Sequence, residues 1–221
     1  MRGIVMTRSF WLAVFVALFG APAHSQILIP VTLRSWVASD GYFPGANATA
    51  NYVAVPGSYN NFFGWNLSGR AAASIVSATL YLNNTSTGVT GSGTYSIYDV
   101  SSSTASLLNP GNEVRAPSAL AAFTDLGSGT SYGSISYSSS LAGQYAVINL
   151  NSSGIAALQA AWGSGYFNIG GAAAGTGMIF GGSAPIPTSQ SYLSVVVPEP
   201  SVLSLLAFGL GGLAMLRRRR E

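Results

Sequence analysis

Between residues 31 and 197 the chain alternates short apolar runs with clusters of Gly, Ser, Asn and Thr. The stretch ASIVSATLYL (73–82) has the clearest period: Ile75, Ser77, Thr79 and Tyr81 share one face, Val76, Ala78, Leu80 and Leu82 the other. A period of two with one aliphatic face predicts a half-buried strand. GTYSIYDV (93–100) repeats the device, with Tyr95, Ile97 and Asp99 opposite Ser96, Tyr98 and Val100. Strands are likewise expected over 31–38, 51–55, 61–69, 132–138, 144–150, 165–171, 177–182 and 191–197. The period changes in NSSGIAALQAAWGSG (151–165), where Ile155, Leu158 and Trp162 fall at helical spacing. Ser152 or Ser153 is its candidate cap and Gly163 and Gly165 its stop, so a short helix is predicted, its Trp162 burying a large apolar area against the sheet. Residues 101–118 show no period and read as a long loop. Many short strands, glycine-rich turns and one short helix predict an all-β fold, an antiparallel β-sandwich of jelly-roll type.

The two ends follow a different rule. At the N-terminus Arg2 and Arg8 precede an apolar stretch, Phe10 to Phe19, and then Ala23-His24-Ser25. A basic leader, an apolar centre and a small-x-small site form a secretory signal peptide, predicted as a helix over 1–25 and cut between Ser25 and Gln26. At the C-terminus Ser201 to Leu216 is a run of 16 uncharged residues bounded by Pro198-Glu199-Pro200 and by Arg217, Arg218, Arg219 and Arg220. Sixteen residues span about 24 Å as a helix. Bilayer thinning and snorkelling arginines extend that reach, so a transmembrane helix with its arginines held in the cytoplasm is expected. Pro198 and Pro200 prevent the helix from continuing outward.

Pro198-Glu199-Pro200, the apolar run and the arginine cluster together resemble a PEP-CTERM sorting signal, over residues 198–221. The resemblance implies export in an exopolysaccharide-producing Gram-negative bacterium, by the Sec machinery and signal peptidase. It further implies a transient stay in the inner membrane. Processing by exosortase, an integral-membrane cysteine peptidase, then sends the protein to the cell surface or extracellular matrix. By resemblance Pro198, Glu199 and Pro200 are the recognition motif.

A second resemblance concerns the middle. FFGWNLSG, IVSATLYLNN, YSIYDVSS and VINLNSSGIAALQAAWGSGYFNIGG are similar, in that order, to the DNRLRE-type domain of bacterial and archaeal surface proteins. The similarity covers roughly residues 36–196 and implies a sandwich like that of carbohydrate-binding modules, with no catalytic residues to carry over. It departs from that domain's pattern at Phe63-Gly64-Trp65, where an arginine and a phenylalanine usually stand. The expected organisation is therefore a signal peptide (1–25), a β-sandwich ectodomain (26–197) and a sorting signal (198–221).

Composition narrows the chemistry. The chain has nine arginines and no lysine, but residues 26–197 keep only Arg34, Arg70 and Arg115 against Asp40, Asp99, Glu113 and Asp125, a net charge of −1. That excludes a basic face for tracking phosphates, and nucleic acid is not an expected partner. Cysteine is absent, and the only histidine, His24, lies within the predicted signal peptide. His- or Cys-dependent catalysis and zinc sites are thereby excluded from the predicted mature chain. No cofactor and no metal site are expected, although Asp40 with backbone carbonyls offers a site for a structural calcium ion.

Two function classes remain. In the first, the protein is a non-enzymatic surface or matrix component with a structural or carbohydrate-interacting role. Tyr59, Phe62, Phe63 and Trp65 stand among Asn60, Asn61 and Asn66, the combination that stacks on and hydrogen-bonds sugars. Tyr59, Phe62, Trp65 and Asn66 are thus candidate glycan contacts; burial of Phe62 and Trp65 in the core is the competing reading. In the second, it is a secreted carbohydrate-active enzyme that pairs two of Asp40, Asp99, Glu113 and Asp125 for acid–base work. No pair of these acids is close in sequence, so no catalytic residue is assigned.

Overall fold

Nine strands pair into two sheets in the computed structural model, which describes residues 24–45, 52–108, 117–182 and 190–199. They are β1 (His24–Pro30), β2 (Leu33–Ala38), β3 (Tyr59–Asn66), β4 (Ser77–Asn83), β5 (Ser92–Tyr98), β6 (Ser131–Ser138), β7 (Tyr145–Asn149), β8 (Tyr166–Gly175) and β9 (Tyr192–Pro198). One sheet has the order β1-β9-β4-β7, the other β2-β3-β8-β5-β6. The chain passes repeatedly from sheet to sheet, and consecutive strands share a sheet only at β2-β3 and β5-β6. The predicted all-β antiparallel sandwich is what forms, with jelly-roll-like crossing between its layers. Residues Gln26–Val197 make up one compact unit. Met1–Ser25 and Pro198–Glu221 make up the other, of which only the ends of β1 and β9 and Glu199 are described. The predicted signal and transmembrane helices lie outside the described residues. Among those residues no helix is long and apolar enough to cross a membrane.

The main core lies between the sheets. Alternation places Ala78, Leu80 and Leu82 of β4, Ala146 and Ile148 of β7, and Leu193, Val195 and Val197 of β9 inward. They meet Phe63, Trp65, Tyr95, Ile97, Phe167 and Ile169 of the facing sheet. Val76, expected on the inward face of β4, precedes the strand and stands 51 % exposed.

Three expectations are corrected. Residues 101–118 are not one long loop: α1 (Thr104–Leu108) and the start of α2 (Pro117–Leu126) fall there. Pro117 sits at the first helical position, where its missing N–H costs nothing, and Ala119, Ala122 and Leu126 face the protein. Their small side chains carry too little hydrophobic contrast to reveal the period in sequence. Second, 51–55 and 177–182 are not strands; Ala54↔Ile179 and Thr90↔Met178 form only isolated bridges. Phe180 even adopts a positive φ of 61°, which no regular strand allows. Third, the expected helix is α3 (Ser152–Ala161), capped by Asn151 rather than by Ser152 or Ser153: the Gly154 N–H donates to Asn151 Oδ1 at 3.0 Å. Trp162 follows α3, only partly buried against the core, and donates its indole N–H to the Ala71 carbonyl at 2.8 Å.

α2 covers the outer side of the five-stranded sheet. Leu33, Val37 and Phe62 from that side form a second apolar cluster with Leu107, Ala119 and Leu126. The helix can lie close because β8 is glycine-rich there; a Cβ on Gly170 would collide with the Leu126 backbone. On this sheet, β3 is therefore buried on both faces and does not alternate in exposure. Among the described residues the outer side of the β1-β9-β4-β7 sheet carries no such cluster.

Candidate functional site

The aromatic window chosen from sequence is mostly interior. Trp65, Phe62 and Phe63 have no exposed surface. Trp65 and Phe63 point between the sheets, where Trp65 packs 5.9 Å from Phe167 and Phe63 packs edge-on against Tyr52 at 4.9 Å. Phe62 points the other way, beneath α2 with Leu126 and Leu107. Neither Phe62 nor Trp65 offers a ring face to a sugar, so of the two readings of these residues the core reading holds. Tyr59 is half-buried, edge-on to Trp36 at 4.9 Å, and Asn66 is exposed at the strand end, where its Oδ1 accepts from the Ser68 N–H at 3.0 Å. The amides of Asn60 and Asn61 are also occupied, donating to the Phe123 and Tyr52 carbonyls at 2.8 and 2.7 Å.

The acids serve turns. Asp40 Oδ1 accepts from the Tyr42 N–H at 3.0 Å, and Asp99 Oδ1 from the Thr130 N–H at 2.6 Å. Asp125 accepts from the Ser101 hydroxyl at 2.6 Å and from the N–H groups of Ser101 and Ser102 at 3.2 and 2.9 Å. Burial pushes the Asp125 carboxyl up, but these hydrogen bonds outweigh it and hold the group below its ordinary value. A general acid needs the opposite shift. Glu113 lies outside the described residues. Among the described residues no group of three or more His, Asp or Glu side chains is placed to hold a metal ion.

Arg34 is buried on β2, its guanidinium 5.0 Å over the Tyr52 ring. Burial lowers its pKa, against the raising influence of Tyr52. Tyr52 itself is pushed up to about 12, by burial first, with hydrogen bonding to Ser191, the charge of Arg34 and hydrogen bonding to Asn83 working against it. This is a polar seam inside the sandwich, and it knits β2, the end of β4, the residue before β9 and the segment before β3 together.

The exposed chemistry lies instead on the outer face of the β1-β9-β4-β7 sheet. There Tyr192 of β9 and Tyr81 of β4 stand at paired positions, their rings stacked at 4.8 Å with planes 15° apart. Tyr145 of β7 meets both edge-on, at 6.1 Å from Tyr81 and 5.9 Å from Tyr192. Tyr145 is 37 % and its neighbour Val147 42 % exposed. The next row along the strands is polar: Ser194, Thr79 and Asn149 pair across β9, β4 and β7. Thr79 Oγ1 donates to Asn149 Oδ1 at 2.8 Å, and Gln26 Nε2 of β1 donates to Ser194 Oγ at 2.7 Å. Beyond that row a shallow groove of about 510 Å³ opens between Ile75–Ser77 and α3, lined also by Asn151 and Ile155. Sequence reasoning missed the tyrosines. Tyr81 was placed on the outward face of β4, but its neighbours depend on strand order, which pairs β4 with β7 and β9, both far along the chain.

The same sheet leads into the tail. β9 lies between β1 and β4, and its last residue is Pro198, the first of Pro-Glu-Pro. Fold and exposed face together define an all-β sandwich whose closing strand runs directly into a C-terminal signal. Residues 196–220 match the PEP-CTERM protein-sorting motif. The motif implies an exosortase as processing partner, and with it export and a membrane-anchored intermediate before the cell surface. That match leaves the DNRLRE-type resemblance unconfirmed. No curated protein matches the chain.

Proposed function

We propose that the protein is a non-enzymatic component of the cell surface or extracellular matrix of a Gram-negative bacterium, exported by the Sec route and released there by exosortase, with a structural or carbohydrate-interacting role. The observation that carries this reading is the sorting motif, whose match begins within the last residues of β9. The signal-peptide pattern at the other end agrees with it. So does the unit between them, whose described acids serve turns and whose interior is filled by aromatic and aliphatic side chains. Weakly charged surfaces rich in hydroxyl and amide groups suit a hydrated polysaccharide layer, and their contacts depend little on salt.

The test is mass spectrometry of the protein recovered from the surface or matrix fraction of its host. A mature chain starting at Gln26 and ending in or just after Pro198-Glu199-Pro200 is expected, and deletion of the exosortase gene should leave the protein in the inner membrane. A surface-fraction chain that still carries Arg217 to Arg220 overturns the sorting step. Turnover of a polysaccharide that is abolished by Asp40→Asn, Asp99→Asn, Glu113→Gln or Asp125→Asn overturns the non-enzymatic reading.

A further inference from the structure

The four strands of the β1-β9-β4-β7 sheet contain no Asp, Glu, Lys or Arg. On their outer face Tyr81, Tyr145 and Tyr192 pack against one another, yet among the described residues none of their hydroxyls has a partner in the protein. The interior tyrosines behave differently. Tyr52 bonds the Asn83 carbonyl and the Ser191 hydroxyl, Tyr95 donates to Asn61 Oδ1, and Tyr137 donates to the Thr176 carbonyl. The fold thus satisfies the phenols of Tyr52, Tyr95 and Tyr137 and leaves three together at the surface. One row away, about 6.6 Å along the strands, Asn149 accepts from Thr79, and among the described residues its amide N–H groups have no acceptor.

We propose that this face binds a neutral glycan chain across β9, β4 and β7. The rings of Tyr192, Tyr81 and Tyr145 supply apolar contact and their hydroxyls hydrogen bonds, and Asn149 supplies the amide of the next row. The inference rests on the carbohydrate-interacting reading above and names its ligand class and its residues. Neutrality follows from charge. An acidic polymer would have to shed water from its carboxylates or sulfates against a sheet with no cation to receive them. A second copy of the chain fits less well. Dry self-association would bury the unpaired phenol and amide donors at about 1–3 kcal/mol each, whereas a sugar offers a hydroxyl for every one of them.

The experiment uses the mature protein recovered from its host and two probes, the neutral and the acidic fractions of the host's extracellular polysaccharide separated by anion exchange. Retention of the neutral fraction alone is expected. Tyr145→Ala should weaken it about tenfold, the scale of one aromatic contact. Y81F with Y145F, which keeps the rings, should weaken it severalfold through the lost hydroxyls. Tyr166→Ala, an equally exposed tyrosine at the start of β8, should leave it unchanged. Near-ultraviolet circular dichroism confirms that each variant is folded. Retention indifferent to all the Tyr81 and Tyr145 changes overturns the site but leaves the carbohydrate reading standing. Preference for the acidic fraction overturns the ligand class. If no fraction binds and Tyr145→Ala turns an oligomer into a monomer, the face docks a second copy, and both the inference and the carbohydrate reading fall.

Discussion

Asp125 shows how single residues are committed in this protein. Its carboxylate receives donors from Ser101 and Ser102, and its folded pKa lies below the unfolded value. A depressed acid contributes stability above its unfolded pKa, about 3.9, and loses it as pH falls through the folded value. Asp125→Asn should therefore unfold with a smaller difference in urea midpoint between pH 7 and pH 3 than the parent protein. The tyrosines act at the other limit. Tyr52 is raised to about 12 and Tyr95 well above its ordinary value, both by burial first. A raised phenol contributes fully below its unfolded pKa, about 10, and that contribution disappears as pH climbs to the folded value. Stability should thus fall steeply between pH 10 and about 12. Tyr52→Phe should flatten that limb while costing about 1 kcal/mol near neutrality for the lost hydrogen bonds, read from urea titrations. Trp65→Ala should cost about 3–5 kcal/mol, as expected of a core aromatic and not of a surface platform.

At the scale of elements, alternation was a reliable guide where one face of a strand meets water. β4 and β7 bury every second residue as their sequences imply. It failed where the second face is covered as well. The aromatics of β3 could be read either as sugar contacts or as core, because α2, which hides Phe62, was not expected: its first two residues fell in the loop read over 101–118 and the rest was assigned no element. The missed helix left one trace, the paired glycines Gly170 and Gly171 of β8. Gly170 makes room for the Leu126 backbone, and Gly171 for Tyr95 Oη and Asn61 Oδ1. Gly170→Ala should destabilise by about 1–3 kcal/mol through overpacking, measured as a lower urea midpoint with an unchanged slope. The tyrosine row was illegible for another reason. Each ring sits at an ordinary outward position, and only the order β9-β4-β7 brings the three together. The tail needed no pairing at all, since proline, apolar run and arginine cluster are contiguous.

At the scale of the whole molecule, the strand between β1 and β4 is synthesised after every other described strand. It brings Leu193, Val195 and Val197 into the core, with 0, 0 and 5 % exposure. Until it arrives, β1 lacks its sheet neighbour and β4 is paired on one side only. On the proposed Sec route the chain crosses unfolded, and the sandwich can close on the far side only once β9, and the sorting motif that follows it, has been delivered. Quality control and delivery are then one event: a polypeptide broken off early loses a keystone along with its address. A product stopped at Gly182 should be degraded faster by added protease than one ending at Glu199, which should resist it.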